Sequence, residues 1–300
     1  MMSVLAALLA GAALSAPAPT PKAVTRPVTI AGESVELKTA DGWTLKAAWS
    51  RAQEGKRTFV LLHGTGQRKE DWKRLAVPLA RAGYGYLAVD LRGHGESRVT
   101  PSGEAITWKK LRVSRGVNDY AEMARDVEAA AGWLAGQGVP EDTIGLIGAE
   151  VGGSLAMKYA AVRPKVPALV MLSPGLAWQD IPIINAVRAY KNRPVLMVHS
   201  EADKKSSKET PLIYQFAKMA AGERNTTLIV VPQERGTRLF RANRDLARRV
   251  VAWLDDPIKP EPLPDASTQT PAAASSAPSE APAVSPVVDP AADEEAFGDE

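Results

Sequence analysis

The stretch Thr143-Ile-Gly-Leu-Ile-Gly-Ala-Glu-Val-Gly-Gly-Ser154 leaves this chain little choice of fold. Ile144 to Ile147 is a short apolar run of the kind that forms a buried strand. A sharp, glycine-flanked turn follows, and then the start of a helix. A strand that runs directly into a helix is half of a βαβ unit, and such units build parallel sheets. Five further apolar runs repeat the theme: Thr58 to Leu62, Tyr84 to Val89, Ala168 to Leu172, Val195 to Val198 and Thr227 to Val231. Their unbroken apolar character suits a sheet covered on both faces. Before them, Ser34 to Lys38 and Thr44 to Ser50 alternate around Asp41-Gly42, the pattern of a β-hairpin.

Helical patterns lie between the runs. Asn118 can cap a helix with apolar positions at Tyr120, Met123, Val127, Ala130 and Leu134, ending near Gly136. Thr210-Pro211 reads as a helix start with proline at the first helical position, and Leu212, Phe216 and Met219 as its apolar stripe. Leu246, Val250 and Trp253 mark the last helix. A hairpin plus six parallel-type strands joined by helices predicts an α/β fold: one doubly wound, mostly parallel eight-stranded sheet over residues 28–256.

The ends of the chain are different in kind. Val4 to Leu14 is an uninterrupted run of Val, Leu, Ala and Gly, followed by Ser15-Ala16, which predicts a signal peptide over residues 1–16 and export to the periplasm or beyond. Residues 17–27, rich in Pro, Ala and Thr, read as a linker. Residues 257–300 carry nine prolines, nine acidic residues and one lysine with almost no large apolar groups, a composition expected to be disordered. The chain has no cysteine, which excludes disulfides and thiol chemistry. No later apolar run is long enough to span a membrane. The net charge of +3 hides a basic body and an acidic tail, but no basic run interleaved with aromatics points to nucleic acid. Neither a metal nor a cofactor is implied.

Four motifs in order carry a family resemblance. His63-Gly64-Thr65-Gly66 follows the strand ending at Leu62, and Asp90-Leu-Arg-Gly-His-Gly-Glu-Ser97 follows the strand ending at Val89. Gly148-Ala-Glu150-Val-Gly-Gly-Ser154-Leu-Ala156 occupies the strand-turn-helix, and Glu201-Ala-Asp203 and Arg235-Gly-Thr237 follow the last two strands. The chain resembles the α/β-hydrolase superfamily, closest to its dienelactone-hydrolase-like and serine-aminopeptidase-like esterases. The resemblance implies oxyanion-hole N–H groups at Thr65 and Val151, a loop ordered by His63 and Gly64, an acid at Asp203, and little or no lid. It also implies a nucleophile at 150 and a histidine at 235, where this chain has Glu150 and Arg235.

The two departures remove the triad. A serine nucleophile needs a base that takes and returns a proton, and arginine stays protonated. Glutamate attacking an ester would give an anhydride, a worse product than an acyl-serine. The expected outcome is a catalytically degenerate protein in which Glu150, Arg235 and Asp203 form an ion network, either closing the old site or offering a charged pocket floor to a small-molecule or protein ligand. Three alternatives stay open. Glu150 and Arg235 could point to solvent independently. The chain could be an active ester hydrolase, or a carboxylate-nucleophile enzyme like the related haloalkane dehalogenases and epoxide hydrolases, which use an aspartate at the elbow and a histidine for the second step. It could also be a scaffold whose acidic tail docks a partner.

Overall fold

A computed structural model describes residues 29–258, so the leader, the linker and all but the first residues of the acidic tail lie outside the described residues. The hairpin forms as its alternation requires: β1 (Glu33–Lys38) pairs antiparallel with β2 (Thr44–Ser50) through a turn with Gly42 at φ 89°. Thr39 fastens that turn, its hydroxyl accepting the Trp43 amide at 2.9 Å. The remaining strands of the main sheet are β3 (Thr58–Leu62), β4 (Gly85–Val89), β5 (Ile144–Ala149), β6 (Leu169–Leu172), β7 (Val195–Ser200) and β8 (Thr226–Val231). Their spatial order is β1-β2-β4-β3-β5-β6-β7-β8. The β2–β4 pair is antiparallel and every later pair is parallel.

The continuous apolar runs are explained by two cores, one on each face. Val60, Leu62, Leu146 and Met171 point to one side, where they meet α2 (Ala124–Gly136), α3 (Val151–Ala161), α4 (Ile184–Ala189) and α5 (Ser206–Ala221). Phe59, Leu61, Ile147 and Val170 point to the other, against α1 (Lys73–Arg81), α6 (Leu239–Ala242) and α7 (Leu246–Asp255). Alternate residues of one strand therefore feed different cores, and neither face can be polar.

Asn118 caps as expected: its Oδ1 accepts the amides of Tyr120 and Ala121 at 3.0 and 3.1 Å, ahead of a 3-10 turn and α2. The helix expected to begin at Thr210 begins instead at Ser206, with Pro211 inside it. Asp203 is the reason. Its carboxylate accepts the Ser206 hydroxyl at 2.6 Å and the Lys205 amide at 3.3 Å, which organises a helix start ahead of the proline. That register also turns the stripe. Thr210, Ile213, Ala217 and Ala221 face the core, whereas Leu212 and Met219 are 48% and 73% exposed.

Over the carboxyl edge of the sheet lie short pieces and no inserted domain among the described residues. One is a two-residue-per-strand hairpin, Val113–Ser114 with Val117–Asn118; another is Ala177–Trp178 with Ile181–Pro182. No helix among the described residues is long and apolar enough to cross a membrane.

Candidate functional site

β5 ends at Ala149 and α3 begins at Val151, so Glu150 alone makes the turn, at φ 51° and ψ −117°. A non-glycine residue in such a conformation costs about 1–3 kcal/mol and persists where its surroundings fix it. Here the Glu150 amide donates to the Leu172 carbonyl at 2.9 Å, and the Glu150 carbonyl accepts the Ser154 amide at 3.1 Å. The flanking glycines are obligatory for close approach. A Cβ on Gly152 would stand 2.2 Å from the Leu62 carbonyl oxygen, and one on Gly148 would stand 2.4 Å from the Gly152 carbonyl oxygen. Ser154 lies one turn into α3, 1% exposed, with its hydroxyl unpaired inside the packing.

The Glu150 side chain folds inward, 3% exposed. Its Oε2 lies against the His63–Gly66 loop, 2.5 Å from where a Cβ on Gly64 would be. Its Oε1 lies against the opposite loop, 3.0 Å from the corresponding point on Gly236. The carboxylate is thus wedged between the two loops that would flank a reacting carbonyl. Arg235 reaches it from outside: Nε stands 3.3 Å from Oε1, with the guanidinium side chain 47% exposed. This is an ion pair without a directed hydrogen bond, since Oε1 has no hydrogen-bond donor among the described residues. Burial raises the Glu150 pKa above its ordinary value, with Arg235 and then Arg238 acting against the rise.

The His63–Gly66 loop is held from beneath. The His63 ring is fully buried; its Nε2 accepts the Leu91 amide at 3.1 Å, so Nδ1 carries the hydrogen and donates to the Gly64 carbonyl at 2.8 Å. Burial pushes its pKa down to about 4, which keeps the ring neutral. Val151 is the first residue of α3, and its N–H belongs to the turn that an α-helix leaves without an internal partner. Thr65 is half-buried, and its hydroxyl accepts from Gln179 Nε2 at 3.1 Å at the tip of the 177–182 hairpin. The Asp90–Ser97 turn is structural. The Asp90 carboxylate accepts the amides of Lys69 and Glu96 and the Lys69 ammonium, at 2.7, 2.9 and 2.8 Å. Arg92 is buried between Asp126 and Asp41, and the Ser97 hydroxyl accepts the Lys46 amide.

The residues predicted for the site are brought together only in part. Glu150 and Arg235 meet. Asp203 is 8% exposed and close enough to oppose the Glu150 charge, but its carboxylate is engaged by Ser206 and Lys205 at the start of α5. Among the described residues it makes no ion pair with Arg235, so the three-membered network reduces to a pair. Several site residues were not predicted. Gln67 Oε1 accepts the Gly64 amide at 3.2 Å and the Thr237 hydroxyl at 2.9 Å, joining the two loops. Ser173, at φ 50°, accepts the Gly236 amide through its hydroxyl. Trp178 lies under both Arg235 and Lys205, at 5.8 and 5.4 Å from ring centre to cation. None of these sits in a motif; each is recruited by a loop that the tertiary fold folds over. Beside Arg235 opens a cleft of about 510 Å³ lined by Asp203, Lys204, Lys205, Glu234, Arg235 and Arg238.

A profile of the family described as serine aminopeptidase, S33, matches residues 53–208, just over half of the chain. The chain belongs to that family, within the α/β-hydrolase superfamily. The matched stretch includes Glu150 and Asp203 and stops before Arg235. A curated relative, the 2-hydroxy-6-oxononadienedioate/2-hydroxy-6-oxononatrienedioate hydrolase of Cupriavidus pinatubonensis, is 28% identical over 153 residues. That match covers 49% of this chain and 47% of the relative, so it spans about half of the relative's length. Among solved structures, an esterase of Pyrococcus furiosus superposes with a TM-score of 0.60 at 19% identity, covering 79% of this chain and 97% of the esterase. The dienelactone hydrolase of Anabaena variabilis gives 0.56 at 20% identity over 76% of this chain and 98% of its own. These superpositions establish a shared fold.

Proposed function

We propose that this chain is a catalytically degenerate family member, exported through its apolar leader, that binds a small anionic molecule at the old active site. The observation that carries the reading is the Glu150 carboxylate wedged between Gly64 and Gly236 with Arg235 as its counter-ion. A carboxylate there takes the space of a developing oxyanion and repels it. The chain's three histidines offer no substitute base: His63, His94 and His199 each bond a backbone carbonyl through Nδ1, and none bonds Glu150. A hydrolytic cycle through Glu150 as carboxylate nucleophile would need such a base for its second step.

What remains usable is the outer side of Arg235. Arg235 is half exposed beyond its contact with Glu150 and lines the cleft, with Lys204, Lys205 and Arg238 around it. Lys205 is paired with Glu209 and Arg238 with Glu234, which leaves Lys204 and the solvent-exposed part of Arg235 to meet a carboxylate ligand, which an arginine fork binds in bidentate fashion. The curated relative is named for hydrolysis of dioates, which are dicarboxylic acids, and this is in keeping with an anionic ligand here.

Two measurements test the reading. The folded protein is expected not to hydrolyse aryl esters above background and not to be labelled by a fluorophosphonate; stoichiometric labelling at Ser154 or Ser97 would restore the active-hydrolase reading. Adipate, a simple dicarboxylate, is expected to raise the melting temperature of the natural chain and not of an Arg235→Gln variant. Equal shifts in both would remove Arg235 from the ligand site.

A further inference from the structure

A second basic feature lies away from the cleft. Lys73 and Arg74 on α1 face Arg238, Arg241, Arg244 and Arg248 across a groove of about 780 Å³, within the size range of small-molecule sites, roughly 300–1,000 Å³. The charged side chains stand on exposed rims, while the floor is apolar: Phe240 and Ala247 are buried there and Val77 is half-buried. The groove's acidic members are already engaged. Glu70 is paired with Lys69 at 3.1 Å, and Asp71 accepts the Arg68 amide at 3.0 Å. Arg238 and Arg241 share Glu234, at 3.1 and 2.9 Å. Among the described residues no carboxylate lies within ion-pair reach of Lys73, Arg74, Arg244 or Arg248. Among the described residues these four cations have no ion-pair partner, and with Arg238 and Arg241 they outnumber the lining carboxylates Glu70 and Asp71, so the groove is complementary to a ligand with a doubly charged head and an apolar body.

We propose that this groove binds a single-chain amphiphile bearing a phosphate monoester, with the head among Lys73, Arg74, Arg244 and Arg248 and the chain over Val77 and Phe240. A phosphate monoester carries about −1.5 to −2 charges at pH 7 and three strong acceptor oxygens, which suits several donors converging from two helices. The groove shares Arg238 with the cleft beside Arg235 but neither Arg235 nor Glu150, so this site stands or falls independently of the ligand proposed there.

The test is calorimetric titration of the full chain with dodecyl phosphate below its micelle concentration, at low salt. The expected result is saturable binding of one molecule per chain, weakened about tenfold or more by the paired change Arg244→Gln and Arg248→Gln, since each charge-assisted contact contributes more than a neutral one. Both arginines are exposed, and the variant is expected to melt with the natural chain. Val77→Asn is expected to weaken binding of dodecyl phosphate, and Arg235→Gln to leave it unchanged. Unaltered affinity in the double arginine variant would overturn the proposal. So would equal binding of dodecyl maltoside, or inorganic phosphate binding as tightly as dodecyl phosphate. Binding to phosphatidylglycerol vesicles with none to dodecyl phosphate would replace the groove ligand by a membrane surface.

Discussion

At the scale of single residues, Glu150 combines a strained backbone with a buried charge. Its folded pKa lies above the ordinary value of 4.5, so the native state holds this proton more tightly than the unfolded chain does. The charge therefore opposes folding at neutral pH, and the penalty disappears as pH falls below the ordinary carboxylate value. Glu150→Gln has no charge to bury, and it leaves Arg235 half in solvent, where an unpaired cation costs little. The variant is expected to gain stability relative to the natural chain as pH rises from about 4 to 7. Urea unfolding at both pH values checks this; a constant difference would mean that Arg235 fully offsets the burial. The glycines differ sharply in their freedom. Gly152→Ala would drive a Cβ to 2.2 Å from a backbone oxygen and is expected to cost about 2–3 kcal/mol or more. Gly132, inside α2 with nothing within 4 Å of a new Cβ, is expected to accept alanine with a gain of up to about 1 kcal/mol. Thermal unfolding of the two variants should move in opposite directions.

At the scale of elements, α5 is the piece whose boundary and orientation the local pattern misplaces. Thr210-Pro211 is a good helix start by composition, but Asp203 and Ser206 form an earlier one, which leaves Pro211 as the sixth residue of the helix, where its missing N–H costs one intrahelical hydrogen bond. Asp203→Ala is expected to destabilise the protein by about 1 kcal/mol through loss of its hydrogen bonds to Ser206 and Lys205 at the start of this helix. The Ser206→Ala variant should reproduce part of that loss, and a double-mutant cycle should show that the two changes are not additive. Additive effects would mean that Asp203 acts elsewhere, for instance on Arg235. The 177–182 hairpin is the other element with consequences. Its tip bonds Thr65, and its Trp178 supports Arg235, so a connection too short to form a lid still covers part of the candidate site.

At the scale of the whole molecule, the α/β-hydrolase frame surrounds the Glu150–Arg235 pair. The strand order, the strained elbow, the tight glycines and the loop held by His63 are all in place. Glu150→Ser with Arg235→His is therefore expected to yield weak esterase activity in the folded protein, since oxyanion donors alone contribute about 10²–10³ in rate. Each single change is expected to yield little, because nucleophile and base act as a unit. Turnover of an aryl ester and fluorophosphonate labelling of the new serine are the readouts. Failure of both in a folded double variant would mean that positions beyond these two, such as Gln67 between the two loops, also prevent turnover.

The sheet was legible from the sequence because burial on both faces leaves unbroken apolar runs, and strand-to-helix turns leave glycines at fixed spacing. The positions of Glu150 and Arg235 were legible because motif order ties each loop to the end of a particular strand. The tertiary structure alone decided where the charges go. Asp203 serves α5 because Ser206 is nearer to it along the chain than any loop partner, and local hydrogen bonds form at little entropic cost. The Glu150 carboxylate turns inward because Gly64 and Gly236, far apart in sequence, leave room between them that any Cβ would fill. Gln67, Ser173 and Trp178 carry no local signal, since each acts on residues that only the closed sheet brings within reach.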